Sequence, residues 1–439
     1  MRLTFDKGTI LIEGEYNVPN AKWDERRNQF RAKAFYYRDI IEYLKESNIR
    51  YEDNVLELVN SPTLSSGIEL RKYQKKALKA WLEMKKGVII MPTGAGKTIV
   101  GIEAIEKMNT SAFIVVPTLD LVRQWKEELK SAFSIRIGEY TGDNKEIRAI
   151  TVSTYDSAYL SAEYLGNKFK LLIFDEVHHL ASEGYRQIGE MFASPFRLGL
   201  TATYERPDGK HTYLKKIVGG KIYEIQPEKL TGIYLSEYET KKIYVSFTEK
   251  EKKKYEQTYK IFKNYIISRN INLRSPDGFK KIIIRSGRDP AAREALLARN
   301  KAERMAFHSK NKIVKLKELL NKKNRMIIFT RYNKTVYKIS RKFLIPCITH
   351  KTNKKDREKI LKKFKDGKYS AIVSSNVLDE GIDVPEADVG IILSGTGSSR
   401  EYIQRLGRLL RPRKGKKAIL YELITEETME VKISYRRKK

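Results

Sequence analysis

GVIIMPTGAGKTIVGIEAIEKM, residues 87–108, passes from an apolar run through a loop of small residues into a helical pattern. Such a loop turns backbone N–H groups inward around a phosphate chain, and the helix N-terminus adds partial positive charge. Thr93, Gly94, Ala95, Gly96, Lys97 and Thr98 make the cradle. Lys97 is placed to reach the β- and γ-phosphates of ATP, and the Thr98 hydroxyl to ligate Mg²⁺. The full phosphate-loop pattern has glycine where this chain has Met91, but the strand–loop–helix setting is intact.

Outward from the loop, short apolar runs alternate with helical stretches: FIVV (113–116), AITV (149–152), LLIF (171–174) and RLGL (197–200). Continuous apolar runs separated by helices indicate strands buried on both faces of a parallel sheet. The rhythm breaks over 241–312, which is rich in Lys and Tyr and helical in period, and resumes with MIIF (326–329), AIVSS (371–375), VGIIL (389–393) and AILYELI (418–424). Residues 1–62 alternate and then turn helical, ending in the linker-like SPTLSSG (61–67). The reading is an α/β chain: a small N-terminal α+β domain (1–62), a first parallel lobe (63–240), a basic helical insertion (241–312) and a second parallel lobe (313–439).

The 439 residues carry a net charge of +33. Residues 1–240 contribute only +2 and residues 241–439 contribute +31, so a polyanion held mainly by the second half is the indicated partner. No apolar run approaches the roughly 20 residues of a membrane span. The single cysteine, Cys347, excludes internal disulfides and four-cysteine metal sites. A soluble, intracellular protein built on core packing alone is expected.

Asp175-Glu176 follows LLIF at a strand tip. In phosphate-loop enzymes one carboxylate there holds Mg²⁺ and another polarises the attacking water, so Asp175 takes the first role and Glu176 the second. In QRLGRLLR (404–411), Gln404, Arg408 and Arg411 fall on one helix face, where paired guanidinium groups can clamp a γ-phosphate. A basic face on nucleic acid is the equal alternative for that helix. With the arginines over 300 residues beyond the phosphate loop, ATP is expected between the lobes, as in a motor.

The succession LRKYQ (70–74), MPTGAGKT, VVPTLDLVRQW (115–125), DEVHH (175–179), LTAT (200–203), VLDEGIDVP (377–385) and QRLGRLLR resembles superfamily-two helicases over the chain beyond residue 65. DEVHH, STYDSAY (153–159) and REYIQRLGRLLRP (400–412) resemble the XPB family, in its minimal archaeal form. The resemblance implies two RecA-like lobes, a damage-recognition domain at the N-terminus and a thumb-like insertion. It also implies a 3′→5′ DNA helicase or duplex translocase in nucleotide excision repair, with a nuclease partner plausible because no cutting site is visible. It assigns adenine recognition to Arg71 and Gln74, coupling to Thr201, Ala202 and Thr203, and second-lobe nucleotide contacts to Gly381 and Asp383. The family's strand-separating Arg-Glu-Asp element is replaced by Arg206-Pro207-Asp208, and proline, with its fixed φ and no N–H, weakens a wedge role. In the insertion, Tyr255, Tyr259, Phe262 and Ile266 recur at helical spacing among Lys252, Lys253, Lys254, Lys260 and Lys263. Tyr255 and Lys260 are candidates for base stacking and phosphate tracking, against an ordinary packed hairpin. An RNA helicase, and a DNA-binding scaffold gated by ATP that recruits a nuclease without unwinding, stand as alternatives.

Overall fold

The computed structural model describes residues 1–14, 18–206, 208–230, 234, 237–273, 278–321, 323–375, 387–395 and 417–436. The chain divides into two compact units, meeting in sequence at Leu230 and Thr231.

The first unit opens with a five-stranded sheet of β1 (Arg2–Asp6), β2 (Thr9–Glu13), β3 (Lys22–Asp24), β4 (Gln29–Lys33) and β5 (Glu52–Asn54), ordered β3-β4-β2-β1-β5. Helix α1 (Tyr37–Glu46) covers it, burying Tyr37, Ile40 and Leu44 against Leu3, Ile10 and Ile12. This domain is built onto the lobe that follows. Lys33 pairs with Glu190 at 2.6 Å, and Arg38 donates to the Met84 carbonyl at 3.0 Å. At Gly8 (φ +84) a Cβ would lie 2.7 Å from the Met191 side chain, so only glycine lets the two surfaces close.

The lobe contains α2 (Lys72–Met84), β6 (Lys86–Ile90), α3 (Lys97–Met108), β7 (Ala112–Val116), α4 (Leu119–Phe133), β8 (Gly138–Tyr140), β9 (Lys145–Glu146) and β10 (Ile150–Thr154). It continues with α5 (Tyr155–Leu160), α6 (Ala162–Leu165), β11 (Leu171–Asp175), α7 (Arg186–Met191), β12 (Phe196–Thr201), α8 (Thr212–Ile217) and β13 (Lys221–Glu224). The sheet runs β13-β6-β12-β11-β7-β10-β8-β9, parallel except for β8 with β9. Its central strands are buried at every residue, as their apolar runs require.

The second unit comprises β14 (Glu237–Val245), α9 (Glu249–Ser268), α10 (Gly278–Arg285), α11 (Pro290–Phe307), α12 (Lys310–Leu319), β15 (Met326–Phe329), α13 (Asn333–Phe343) and β16 (Cys347–Ile348). After these come α14 (Lys354–Lys365), β17 (Ala371–Ser374), β18 (Val389–Ile392), β19 (Lys417–Thr425) and α15 (Met429–Arg436). Its six parallel strands run β14-β19-β18-β15-β17-β16. Strand β14 pairs with β19 over nine residues, so residues 237–240, read from sequence as the end of the first lobe, lie in the second sheet.

The insertion is the helical hairpin α9 to α11. A Thr248–Glu251 capping box starts α9, satisfying two N–H groups that the first turn leaves open. Its aromatic stripe faces inward: Phe262 and Tyr265 pack with Ile282, Ala292 and Ala295, and Tyr255 packs with Ala302 and Ala306. Tyr255 is 4% exposed, and its hydroxyl accepts the Met429 N–H at 2.9 Å. The base-stacking role considered for Tyr255 is thereby corrected, since the apolar face of an amphipathic helix goes to its partner helix. Lys253, Lys254, Lys260 and Lys263 stay exposed, while Lys252 pairs with Glu427 at 2.7 Å. Beneath the hairpin, the buried Lys312 ammonium donates to both Glu430 oxygens (2.6 and 2.7 Å) and to the Leu393 carbonyl (2.7 Å).

Candidate nucleotide site

In register, Ile90 of β6 stands beside Thr201 of β12, and Leu200 beside Asp175 of β11. The phosphate loop, the acidic pair and the LTAT segment therefore leave the sheet at one edge, the carboxyl end where open α/β sheets bind ligands.

The loop is braced from below. Gln74 is buried, accepts the Arg71 N–H at 2.9 Å, and donates to the Ala95 and Gly96 carbonyls at 3.1 and 3.4 Å. The Tyr73 hydroxyl reaches the Ala95 carbonyl at 2.8 Å. These contacts fix the Ala95 and Gly96 carbonyls, and the Ala95 N–H closes a turn onto the Pro92 carbonyl at 3.2 Å. The family resemblance assigns Gln74 to adenine, whereas here its amide is engaged with the loop and the cap of α2. Gly94 (φ 85) and Gly96 (φ 76) adopt the left-handed turn, and a Cβ on Gly96 would lie 2.5 Å from the Gln74 amide nitrogen. The Lys97 ammonium donates to the Met91 carbonyl at 3.3 Å, curling back over the loop. Thr98 is half-buried in the first turn of α3. Thr93 Oγ1 is buried with no hydrogen-bond partner among the described residues, as expected of a hydroxyl that awaits a ligand oxygen.

Asp175 accepts the Trp125 indole N–H on Oδ2 and the Glu176 backbone N–H on Oδ1, each at 2.9 Å. Burial, with the adjacent Glu176 charge, pushes the Asp175 carboxyl up to about 6, against the pull of Lys97. Glu176 itself occupies the left-handed region at φ 46, ψ 54. The Tyr155 hydroxyl supports this turn from behind, donating to the Asp175 carbonyl at 3.1 Å.

Thr201 Oγ1 joins the acidic turn to the next segment. It lies 3.1 Å from Glu176 Oε2, 3.1 Å from His178 Nδ1 and 2.8 Å from the Thr203 carbonyl, and it accepts the Thr203 N–H at 3.1 Å. The one hydroxyl hydrogen is shared between Glu176 Oε2 and the Thr203 carbonyl, while His178 Nδ1 donates to the hydroxyl oxygen or accepts from it according to its tautomer. Ala202 is buried between the two threonines. Arg206 donates to the His178 carbonyl at 2.8 Å and grips Asp208 bidentately at 3.0 and 2.8 Å, which holds the Asp208 carboxyl well below its usual range. The two polar members of the Arg206-Pro207-Asp208 element thus engage each other, and Arg206 also reaches DEVHH.

Sequence reasoning assigned no role to Trp125 or Tyr155, although both sit in segments it singled out. For Tyr155 the available signal was an aromatic ring with a polar handle directly after a strand; Trp125, in the middle of α4, gave no such signal. Gly381, Asp383, Gln404, Arg408 and Arg411 lie outside the described residues.

Three family models match the chain: the Xeroderma pigmentosum group B helicase damage recognition domain over residues 3–55, the res subunit of type III restriction enzymes over 67–206, and the helicase conserved C-terminal domain over 311–413. The chain is 46% identical over 438 residues to a DNA 3′-5′ translocase XPB2 of Sulfurisphaera tokodaii, covering 99% of both. It is 28% identical over 411 residues to the general transcription and DNA repair factor IIH helicase/translocase subunit XPB1 of Arabidopsis thaliana, covering 84% of this chain and 48% of that one. In fold it is similar to the Pyrococcus furiosus Hef helicase domain (TM-score 0.54, 18% identity, 84% of this chain and 98% of the other).

Proposed function

The chain belongs to the XPB helicase family, and on that premise we propose that it is an ATP-driven DNA motor, a 3′→5′ helicase or duplex translocase acting in DNA repair, with nucleotide excision repair as its setting. The observation that carries the reading is the meeting of Lys97, Asp175, Glu176 and Thr201 at one sheet edge, with the Thr201 hydroxyl on Glu176 Oε2. A carboxylate that is to take a proton from water is there tied to the segment placed to move.

Each residue's part follows from its surroundings. Backbone N–H groups of residues 94–98 bind the phosphate chain, and Lys97 leaves the Met91 carbonyl for the terminal phosphates. Thr98 and Asp175 are the side chains that would hold Mg²⁺ arriving with ATP, an ion that neutralises charge on the phosphate oxygens. Glu176 orients the attacking water and accepts its proton. Arg408 and Arg411 keep the role their helix spacing suggests, stabilising the charge that develops during transfer. The exposed lysines of α9 supply phosphate contacts for DNA. Its partner on this reading is a nuclease that cuts the DNA the motor engages, and the work is done in the cytoplasm, on the nucleoid.

The test is ATPase activity with single-stranded DNA, duplex DNA and RNA as stimulants, beside displacement of a blocking protein from either strand end. Stimulation by DNA with displacement in the 3′→5′ direction is expected. Stimulation by RNA alone refutes the reading, and DNA-stimulated hydrolysis with neither displacement nor unwinding leaves a scaffold in its place.

A further inference from the structure

Three tryptophans occupy very different settings. Trp23 is half exposed on the N-terminal sheet, whereas Trp81 and Trp125 are fully buried and each donates its indole N–H at 2.9 Å. The Trp81 acceptor is the backbone carbonyl of Arg197, a rigid structural group. The Trp125 acceptor is a carboxylate oxygen of Asp175, the side chain assigned above to Mg²⁺.

We propose that Trp125 is a positioning residue for metal binding, its indole N–H holding the Asp175 carboxylate in the one rotation that receives Mg²⁺. A carboxylate turns readily about its Cβ–Cγ bond, and that freedom is lost when it takes a cation. Here it is removed beforehand by two donors, the indole on Oδ2 and the Glu176 N–H on Oδ1, which leave further lone pairs on both oxygens. Donors behind a ligating carboxylate fix its orientation, and their loss commonly weakens metal binding by about 10–100-fold.

The ring is itself held by the nucleotide-binding helix. A Cβ on Gly101 of α3 would lie 2.6 Å from Trp125 Cη2, so the indole presses on that helix where only glycine leaves room. Trp125 thus joins three segments: the helix after the phosphate loop, its own helix α4, and the acidic end of β11.

The inference rests on the nucleotide reading, and the test separates the two. Full-length protein and its Trp125→Phe, Trp81→Phe and Gly101→Ala variants are titrated with a fluorescent ADP analogue, once with Mg²⁺ and once with EDTA. The ratio of the two affinities measures the metal's contribution without turnover. Trp125→Phe, which keeps an aromatic ring and loses the N–H, should cut that ratio about tenfold or more with affinity in EDTA unchanged. Trp81→Phe loses an equivalent buried hydrogen bond and should leave the ratio at the wild-type value. Gly101→Ala, which displaces the indole without removing a polar group, should lower the ratio too, and it decides the matter should Trp125→Phe fail to fold. A wild-type ratio in Trp125→Phe, or in Gly101→Ala when that variant alone folds, overturns the proposal. An equal loss in Trp81→Phe also overturns it, by reducing Trp125 to core packing. A wild-type protein whose affinity does not respond to Mg²⁺ overturns the proposal alone, and one that binds the analogue neither with Mg²⁺ nor with EDTA overturns the nucleotide reading.

Discussion

Replacing Thr201 by valine removes one oxygen and almost no volume. The residue is fully buried, so the neighbouring packing is kept and the loss is polar. Lost with the hydroxyl are its approach to Glu176 Oε2 at 3.1 Å and the acceptor of the Thr203 N–H at 3.1 Å. A hydrogen bond to a charged group contributes about 1.5–3 kcal/mol. Because the single hydrogen is shared with the Thr203 carbonyl at 2.8 Å, the lower end applies to Glu176. About 1.4 kcal/mol is a factor of ten in rate, so kcat for DNA-stimulated ATP hydrolysis should fall roughly tenfold. KM for ATP should change little, because the groups of residues 93–98 are untouched. Loss of the acceptor of the half-buried Thr203 N–H should cost about 0.5–1.5 kcal/mol of stability, seen as a lower denaturation midpoint of the first unit. Thr201→Ser, which restores the hydroxyl, should recover most of the rate. Steady-state ATPase at saturating DNA gives both constants. A Thr201→Val kcat within twofold of wild type would refute the idea that this hydroxyl holds Glu176 for hydrolysis.

Glu176→Gln should bind ATP and turn it over very slowly, since an amide does not accept the water's proton; normal turnover in this variant with loss in Asp175→Asn would reverse the two roles. Changing Lys253, Lys254, Lys260 and Lys263 together to glutamine should lower DNA affinity and flatten its log–log salt dependence by about 0.9 for each phosphate no longer neutralised, with ATPase in the absence of DNA unchanged; unaltered affinity and slope would remove α9 from the DNA surface. Lys312→Met strands the buried Glu430 charge and should destabilise the second unit by about 3–5 kcal/mol in denaturant unfolding, much of it recovered when Glu430→Leu is added. Burial pushes the Tyr255 phenol from its ordinary 10.0 up to about 12, so the stability its neutral form supplies is whole below pH 10 and is lost as pH rises toward 12. Thermal melts across that range should show the loss, and Tyr255→Phe should make it smaller.

The parallel cores were legible because burial on both faces leaves nothing polar in the strand. LLIF and FIVV admit few other readings, and both are strands buried throughout. Strand β14 was not legible for the converse reason. It is an edge strand, and EYETKKIYV carries the charges that edge strands use against unwanted pairing, so the sequence reading splits it, giving residues 237–240 to the first lobe and the rest to the basic insertion. In α9, periodicity located the aromatic stripe but not what lies against it. A stripe looks the same in sequence whether it meets a partner helix or a base, and the answer came from Ala292, Ala295, Ala302 and Ala306, some thirty to fifty residues away. The chemical residues of the first lobe were legible from spacing, since a phosphate loop and an acidic pair are local patterns. Their supports were not. Trp125 reaches Asp175 across 50 residues and Tyr155 reaches it across 20, distances over which only the folded sheet imposes proximity.

Glu176 sits in a left-handed backbone conformation that disfavours any residue with a Cβ by roughly 1–3 kcal/mol. Glycine would relax that turn, so Glu176→Gly should raise the folding stability of the same protein it disables. Mutagenesis campaigns that rank variants by heat resistance would promote this change, and a catalogue of stabilising substitutions would carry an inactive motor near its top. The same bias works in the opposite direction over evolutionary time. A lineage released from the need to hydrolyse ATP should lose this carboxylate early, through a change that folding itself favours, while the phosphate loop around Lys97 still looks intact.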